Sequence, residues 1–233
     1  MEQTISWFGL AWCLIPVLII CGIFYAWQGS VREVLIASAR MLVQLIAIGY
    51  VLVVLFENPS PWISLGVLTL MISAAAWIAI RPVRHHNGFL YPALIALGVS
   101  VCVHLAISLF LVIDGPLWYE PRVLIPLAGM YFANSMNAIS LSAERYHSEL
   151  HAKVAEPKAR GIAFQAAMIP QINGLLAVGL VALPGMMTGQ ILSGVSPLIA
   201  VRYQILIMTM VLGTSGMSAA IMLWQLSKRK MTF

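Results

Sequence analysis

Seven apolar stretches, each long enough to cross a lipid bilayer as a helix, constrain this sequence more than any other feature. They lie at roughly residues 5–27, 34–56, 61–80, 89–113, 122–143, 162–183 and 203–226. A spanning helix needs about 20 apolar residues, and lipid offers no hydrogen-bond partner to open backbone groups. The sequence therefore predicts an all-α polytopic membrane protein, with residues 1–233 forming a single domain of seven transmembrane helices.

The composition excludes several classes of protein. Only 9% of the 233 residues are charged and 61% are apolar, whereas soluble domains carry about 25% charged residues. So few charges could not cover the surface of this chain in water. A soluble enzyme, a nucleic-acid-binding protein and a disordered tail are therefore excluded. The first stretch has no basic flank and is too long for a signal peptide, so we expect it to remain as a helix.

Basic residues divide unequally between the two sides of the predicted membrane. Eleven of the 13 lysines and arginines fall on one side, namely Arg32, Arg40, Arg81, Arg84, Arg145, Lys153, Lys158, Arg160, Lys228, Arg229 and Lys230. The other side carries Glu2, Glu57, Asp114 and Glu120, with Arg122 and Arg202 at span edges. Basic residues mark the cytoplasmic side. The sequence therefore predicts an external N-terminus and a cytoplasmic C-terminus.

Polar side chains inside the spans are candidates for a transport path. Arg40 and Gln44 lie one turn apart in the second span, Asn134 and Asn137 lie in the fifth, and Gln171 lies in the sixth. Polar groups inside a bilayer usually face protein or water. Two simpler interpretations remain open, because Arg40 can reach the headgroups along its aliphatic stem and the asparagines can join helices by hydrogen bonds.

The segment 184–197 is apolar and uncharged, yet rich in glycine and proline. We expect it to be non-helical, and to dip into the membrane or pack as a plug against the helices, where protein or water covers its backbone. It contributes Met186, Met187 and Gln190 to the candidate path. Methionine thioethers suit Cu(I), but most of the 13 methionines are expected to serve packing. No metal site is predicted.

The longest cytoplasmic connection, the predicted loop 144–161, alternates acidic and basic residues and offers a surface for a soluble partner. The candidate contact residues are Glu144, Arg145, Glu149, Lys153, Glu156 and Arg160. His147 and His151 lie one helical turn apart in the same segment. Their spacing permits a shared metal ion, although a solvated face is the simpler interpretation.

Other features of the sequence narrow its chemistry. No GxxxxGK[ST] motif is present, so the chain cannot hold ATP in a P-loop by itself. Gly213-Thr-Ser-Gly216 matches the GxSG string of intramembrane proteases, but no histidine follows to activate the serine. We expect Gly213, Gly216 and Ala220 to form a packing face instead. His104 is expected to be buried and neutral.

The three cysteines have neither a CxxC spacing nor an even count. Cys13, Cys21 and Cys102 all fall inside apolar stretches. They are expected to be small buried hydrophobic residues rather than members of a disulfide or a zinc site.

Several strings of residues resemble the Fet-type ABC permeases, a family of iron exporters related to a plant permease linked to aluminium tolerance. The strings are Ile125-Pro-Leu-Ala-Gly-Met130, Asn134-Ser-Met-Asn-Ala-Ile-Ser-Leu141, Arg40-xxx-Gln44 with Gly49-Tyr50, Leu183-Pro-Gly-Met-Met-Thr-Gly-Gln-Ile-Leu192 and Val201-Arg-Tyr-Gln204. The resemblance covers roughly residues 30–225. It implies a permease subunit of the cell inner membrane, acting as a homodimer with a separate ATPase that binds the ATP, so that the permease needs no cofactor of its own.

Under this interpretation, the chain exports a metal ion by alternating access as the ATPase pushes through 144–161. The path or gate would use Arg40, Gln44, Asn134, Asn137, Gln171, Met186, Met187 and Gln190. One departure from the family lies between Arg145 and Met168, a shorter stretch without the Leu-Gly-Ala run typical of the coupling segment. Two alternatives therefore stay open: an ATPase-independent secondary transporter or channel, and a membrane assembly subunit that does not transport.

Overall fold

The computed structural model describes residues 6–83, 88–113 and 117–228. Within these ranges the chain forms nine α-helices, which are α1 Trp7–Ala11, α2 Leu14–Ala26, α3 Val31–Glu57, α4 Pro61–Ala79, α5 Leu90–Ile107, α6 Pro121–His151, α7 Glu156–Ala177, α8 Gly185–Leu192 and α9 Pro197–Lys228. A 3₁₀ turn covers Arg81–Val83, and a π-helical turn covers Ser108–Val112. The orientation predicted from charge also uses Glu2, Arg84, Asp114, Arg229 and Lys230, which lie outside the described residues.

The chain divides into two compact units, the first ending at Asn58 and the second beginning at Pro59. In the first unit α2 and α3 contact each other. No residue of α2 is buried, and in α3 only Leu55 is. Arg40 and Gln44 are both exposed on α3, one turn apart.

Helices α6 and α9 lie at the centre of the second unit. Helix α6 contacts α4, α5, α7 and α9, and α9 also contacts α5, α7 and α8. Fully buried alanines occur along the contacting faces, including Ala128 and Ala143 on α6, Ala163 on α7 and Ala219 on α9. Such small side chains let helix backbones approach closely, as is typical of helix contacts in membranes.

Side-chain hydrogen bonds join helices within this second unit. Ser140 donates its Oγ–H to the carbonyl oxygen of Ala79 at 2.7 Å, and Gln225 donates to the carbonyl oxygen of Pro92 at 3.2 Å. These two bonds fix α4 against α6 and α5 against α9.

Five helical segments are long and apolar enough to cross a membrane: Phe8–Ala26, Val31–Glu57, Pro61–Ala79, Leu90–Val112 and Pro197–Lys228. The predicted fifth span falls within α6, whereas the predicted sixth span, 162–183, runs six residues past the end of α7 at Ala177. These helices have 31 and 22 residues but are less apolar than the five. Large apolar side chains are widely exposed, such as Trp62 at 81% and Leu180 at 90%. The all-α prediction is confirmed, while the number of seven spans and the orientation stay predictions.

The expectation of a loop at 144–161 is wrong. Helix α6 continues to His151 and α7 begins at Glu156, so only residues 152–155 separate them. The alternating charges support helix instead, because partners four residues apart meet on one helix face. Arg145 and Glu149 form an ion pair at 2.6 Å, and Glu156 and Arg160 form one at 3.9 Å.

The expectation of a non-helical segment at 184–197 is also wrong, since Gly185–Leu192 form α8. The helix ends where Gly194 takes a φ of +91°, a conformation that favours glycine. Helix α8 contacts α9, and Met186 packs against the hydrophobic core. Whether the segment enters the membrane stays a prediction.

The prediction that the three cysteines are buried is wrong. Cys13 and Cys102 are exposed, Cys21 is half-buried, and all three are free thiols. The physical reason is that an apolar helix in lipid gains nothing by turning a small apolar side chain inward, so hydrophobicity does not predict burial there.

Candidate translocation cavity

A cavity of about 550 Å³ lies among α6, α7, α8 and α9 of the second unit. Its lining combines amides, one hydroxyl and thioethers with apolar side chains. The lining residues are Met130, Asn134, Asn137, Ser140, Leu141, Pro170, Gln171, Gly174, Pro184, Gly185, Met186, Gln204, Ile207, Met208 and Val211. The predicted path residues Asn134, Asn137, Gln171 and Met186 therefore meet at one cavity.

Helical spacing places the two asparagines at the cavity wall. Asn134 and Asn137 lie three residues apart on α6 and so share one side of the helix. Asn134 donates its Nδ2–H to the carbonyl oxygen of Met130 at 2.8 Å. No hydrogen bond reaches its side-chain oxygen from any residue that the structure describes, which leaves an acceptor at the cavity.

Two glutamines from different helices line the same cavity. Gln171 on α7 is 9% exposed, and Gln204 on α9 is 6% exposed. Within the described part of the chain, Gln204 Oε1 has no hydrogen-bond partner. A buried acceptor without a partner costs about 1–3 kcal/mol, so this oxygen is a place where a bound group with a donor or a positive charge would be stabilised.

Gln204 is the functional candidate that the sequence did not single out. It was visible only as the last residue of the Val201-Arg-Tyr-Gln204 string. It also borders a second cavity of about 300 Å³, which Met187 lines. Gln204 thus lies between the two spaces, and Met187 belongs to the second one.

The remaining path candidates lie elsewhere. Gln190 is on α8, and its Oε1 is buried without a hydrogen-bond partner in the described ranges. Arg40 and Gln44 belong to the first unit, and their role at the path stays a prediction.

The cavity lining carries no charge. None of its lining residues is Asp, Glu, Lys or Arg, and its neutral oxygens belong to Asn134, Asn137, Ser140, Gln171 and Gln204. Over residues 6–83, 88–113 and 117–228, no cluster of three or more His, Cys, Asp or Glu side chains could hold a metal ion. Neutral oxygens bind a cation weakly, and weak binding permits release on the far side.

The candidate contact surface lies where α6 ends and α7 begins. Glu144 and Lys153 are exposed, and the Arg145–Glu149 and Glu156–Arg160 pairs lie on the two helices. Lys153 has a φ of 59°, in the left-handed region, and closes α6 by donating its N–H to the carbonyl of Leu150. The six predicted residues therefore share one helical hairpin instead of a loop.

A phenol joins the two arms of this hairpin. Tyr146 is 2% exposed and donates its O–H to Glu156 Oε1 at 3.4 Å. Burial, followed by the charge and hydrogen bond of Glu156, raises the pKa of Tyr146 to about 12, against the opposing charge of Arg160. The phenol therefore stays neutral and keeps its proton between the helices.

The helices and the uncharged polar cavity define a multi-pass, all-helical membrane protein. The chain belongs to the family described as "Uncharacterised protein family (UPF0014)", which matches residues 7–231. This membership confirms the resemblance drawn from the sequence strings. No solved structure matches the chain.

Three relatives cover most of the chain. The UPF0014 membrane protein slr1647 of Synechocystis is 38% identical over 82% of this chain and 81% of its own length. The probable iron export permease protein FetB of Escherichia coli is 31% identical over 82% and 78%. The protein ALUMINUM SENSITIVE 3 of Arabidopsis thaliana is 30% identical over 88% and 80%. The relatives thus include a protein named as a permease.

Proposed function

We propose that this chain is the permease subunit of an ABC-type transporter that exports a metal ion, such as iron, across the cell inner membrane. Two copies would act with a separate ATPase that binds the ATP. The observation that carries the proposal is the uncharged cavity where Asn134, Asn137, Gln171 and Gln204 meet among apolar helices. Iron is proposed as the ion because the FetB relative is named as a probable iron export permease.

The chemistry of the lining fits a transported cation better than a stored one. Amide and hydroxyl oxygens of Asn137, Ser140 and Gln171 can replace part of the hydration shell of a hard cation. The thioethers of Met130, Met186 and Met208 would contribute soft contacts. Since no carboxylate lines this space, the ion is held only weakly and is free to leave.

The hairpin of α6 and α7 would couple the ATPase to the cavity. Both arms line the cavity, α6 through Asn134 and Asn137 and α7 through Gln171. Their shared end carries Glu144, Arg145, Glu149, Lys153, Glu156 and Arg160, where the ATPase would dock. ATP-driven displacement of this end would change the separation of the polar groups at the cavity.

Vesicles containing the permease and its partner ATPase test the proposal. We expect ATP-dependent Fe²⁺ movement into inverted vesicles, and its loss in Asn137→Ala, Gln171→Ala and Gln204→Ala. Gln165→Ala is the matched control, because Gln165 is an exposed amide on the same helix as Gln171 and does not line the cavity. Normal flux in folded cavity variants would overturn the assignment of the path.

A second candidate, an ATPase-independent transporter, is favoured by the short connection at 152–155 and the missing Leu-Gly-Ala run. Flux that follows an ion gradient without any ATPase would select it. Flux that requires both the ATPase and ATP would select the first candidate. Stable binding to a partner without any flux would indicate an assembly subunit.

A further inference from the structure

Two histidines near the end of α6, which do not line the cavity, place their ring nitrogens together. His147 and His151 lie four residues apart on the last turns of the helix. The distance between their Nε2 atoms is 3.2 Å, and their ring centroids are 4.3 Å apart. His151 is exposed and His147 is half-buried, so the pair is open to solvent.

This separation suits a chelated metal ion. Imidazole nitrogens bind Zn²⁺ at about 2.0–2.1 Å, which puts two of them about 3.3 Å apart at a tetrahedral angle. Without a metal ion, the two Nε2 atoms share one hydrogen bond, in which one ring is the donor and the other the acceptor. Metal binding would replace that single proton with an ion held by both nitrogens.

The position on the helix also favours a cation. His151 is the last residue of α6, where unpaired carbonyls create partial negative charge. Arg145, the nearest arginine along α6, is neutralised by its 2.6 Å pair with Glu149. Glu144 precedes His147 by one turn on the same side of the helix, and its exposed carboxylate adds further negative charge.

We propose that His147 and His151 form a binding site for one borderline transition-metal ion, of the Zn²⁺, Ni²⁺ or Cu²⁺ class, with water completing its coordination. Two imidazoles select such ions over Mg²⁺ and Ca²⁺, which prefer oxygen ligands. The site would clamp the final turn of α6. Its use as a sensor of metal on the ATPase-facing side rests on the proposed function, whereas the binding itself does not.

Zinc titration of the purified, tag-free chain in detergent tests the site by calorimetry. All variants carry His85→Asn and His86→Asn, so that the other adjacent histidines cannot contribute. We expect one Zn²⁺ per chain and no response to Mg²⁺. His147→Asn and His151→Asn should each weaken binding roughly tenfold or more, because one ring loses the chelate effect.

A control variant with the same number of histidines at a different spacing tests whether both rings must bind the ion together. In His151→Asn combined with Ala152→His, the two imidazoles lie five residues apart and point to different sides of α6. This variant should bind as weakly as His151→Asn alone. Undiminished binding in it or in His147→Asn, or no saturable binding by the parent chain, would overturn the proposal. Zinc binding without metal flux in vesicles would support the histidine site and overturn the proposed transport function. Metal flux without zinc binding would overturn only the histidine site.

Discussion

Ser108 and Tyr131 share a buried hydrogen bond of 2.7 Å that joins the π-helical turn after α5 to the first half of α6. Ser108 also donates its Oγ–H to the carbonyl oxygen of His104 at 2.7 Å. Tyr131 therefore donates its phenolic proton to Ser108. This chain of two bonds uses the single proton of the Ser108 hydroxyl to satisfy a carbonyl next to an irregular turn.

Loss of that interaction should loosen the contact between α5 and α6. We expect Ser108→Ala and Tyr131→Phe each to lower the free energy of unfolding by about 1 kcal/mol, a typical value for a hydrogen bond between membrane helices. Thermal unfolding in detergent measures the effect. The double variant should lose little more than either single variant, and full additivity would show that the two groups act independently.

A glycine on α9 provides the space for a histidine of α5. A Cβ added at Gly213 would collide with His104 Nε2, while His104 Nδ1 donates to the carbonyl of Ser100 at 2.8 Å. We expect Gly213→Ala to destabilise the protein by about 1–3 kcal/mol. Thermal unfolding should show recovery when His104→Ala is added.

Gly216→Ala is the matched control on the same helix. Its Cβ would meet the flexible Met168 side chain at 3.6 Å, which is an ordinary contact. This variant should unfold near the parent temperature. Equal losses at both glycines would contradict the specific role of His104.

The buried phenol of Tyr146 makes the hairpin sensitive to alkali. An unfolded tyrosine ionises near pH 10, whereas the folded state holds the pKa of Tyr146 at about 12. Between these values the unfolded chain gains a charge that the folded chain resists, so stability falls as the pH rises above about 10. Subtracting the tyrosinate absorbance of Tyr146→Phe from that of the parent isolates the signal of Tyr146. This signal should therefore appear only near pH 12. Glu156→Gln should move it to lower pH.

Seven crossings require the two chain termini to lie on opposite sides of the membrane. Reporter fusions that fluoresce only in the cytoplasm test this directly. We expect a signal from a C-terminal fusion and none from an N-terminal one. Signals from both ends would require an even number of crossings and would contradict the prediction of seven spans.

Most helix positions could be predicted from the sequence because long apolar stretches permit few alternatives in lipid, whereas α8 and the adjoining ends of α6 and α7 were missed. The cavity was partly predictable: an amide such as Asn137 or Gln171 is conspicuous in an apolar helix. Gln204 was missed because Arg202 beside it marked that region as a span edge. Burial of Cys102 was misjudged, since hydrophobicity does not distinguish a lipid-facing position from a buried one.

The connection at 152–155 was unpredictable from charge alone. Alternating acidic and basic residues are equally common in solvated loops and on helix faces, and the ion pair of Arg145 with Glu149 appears only once the backbone is helical. Its closure also depends on Lys153 adopting a left-handed conformation, which a lysine residue does not signal.

That closure has a mechanical consequence. Val154 packs against the hydrophobic core, and Tyr146 donates a hydrogen bond to Glu156. Both contacts hold the connection between α6 and α7 against the helices. Only residues 152–155 connect the two helices, so there is no long flexible linker between them. Under the proposed coupling, a displacement of this end would therefore be transmitted to both helices, which carry Asn137 and Gln171.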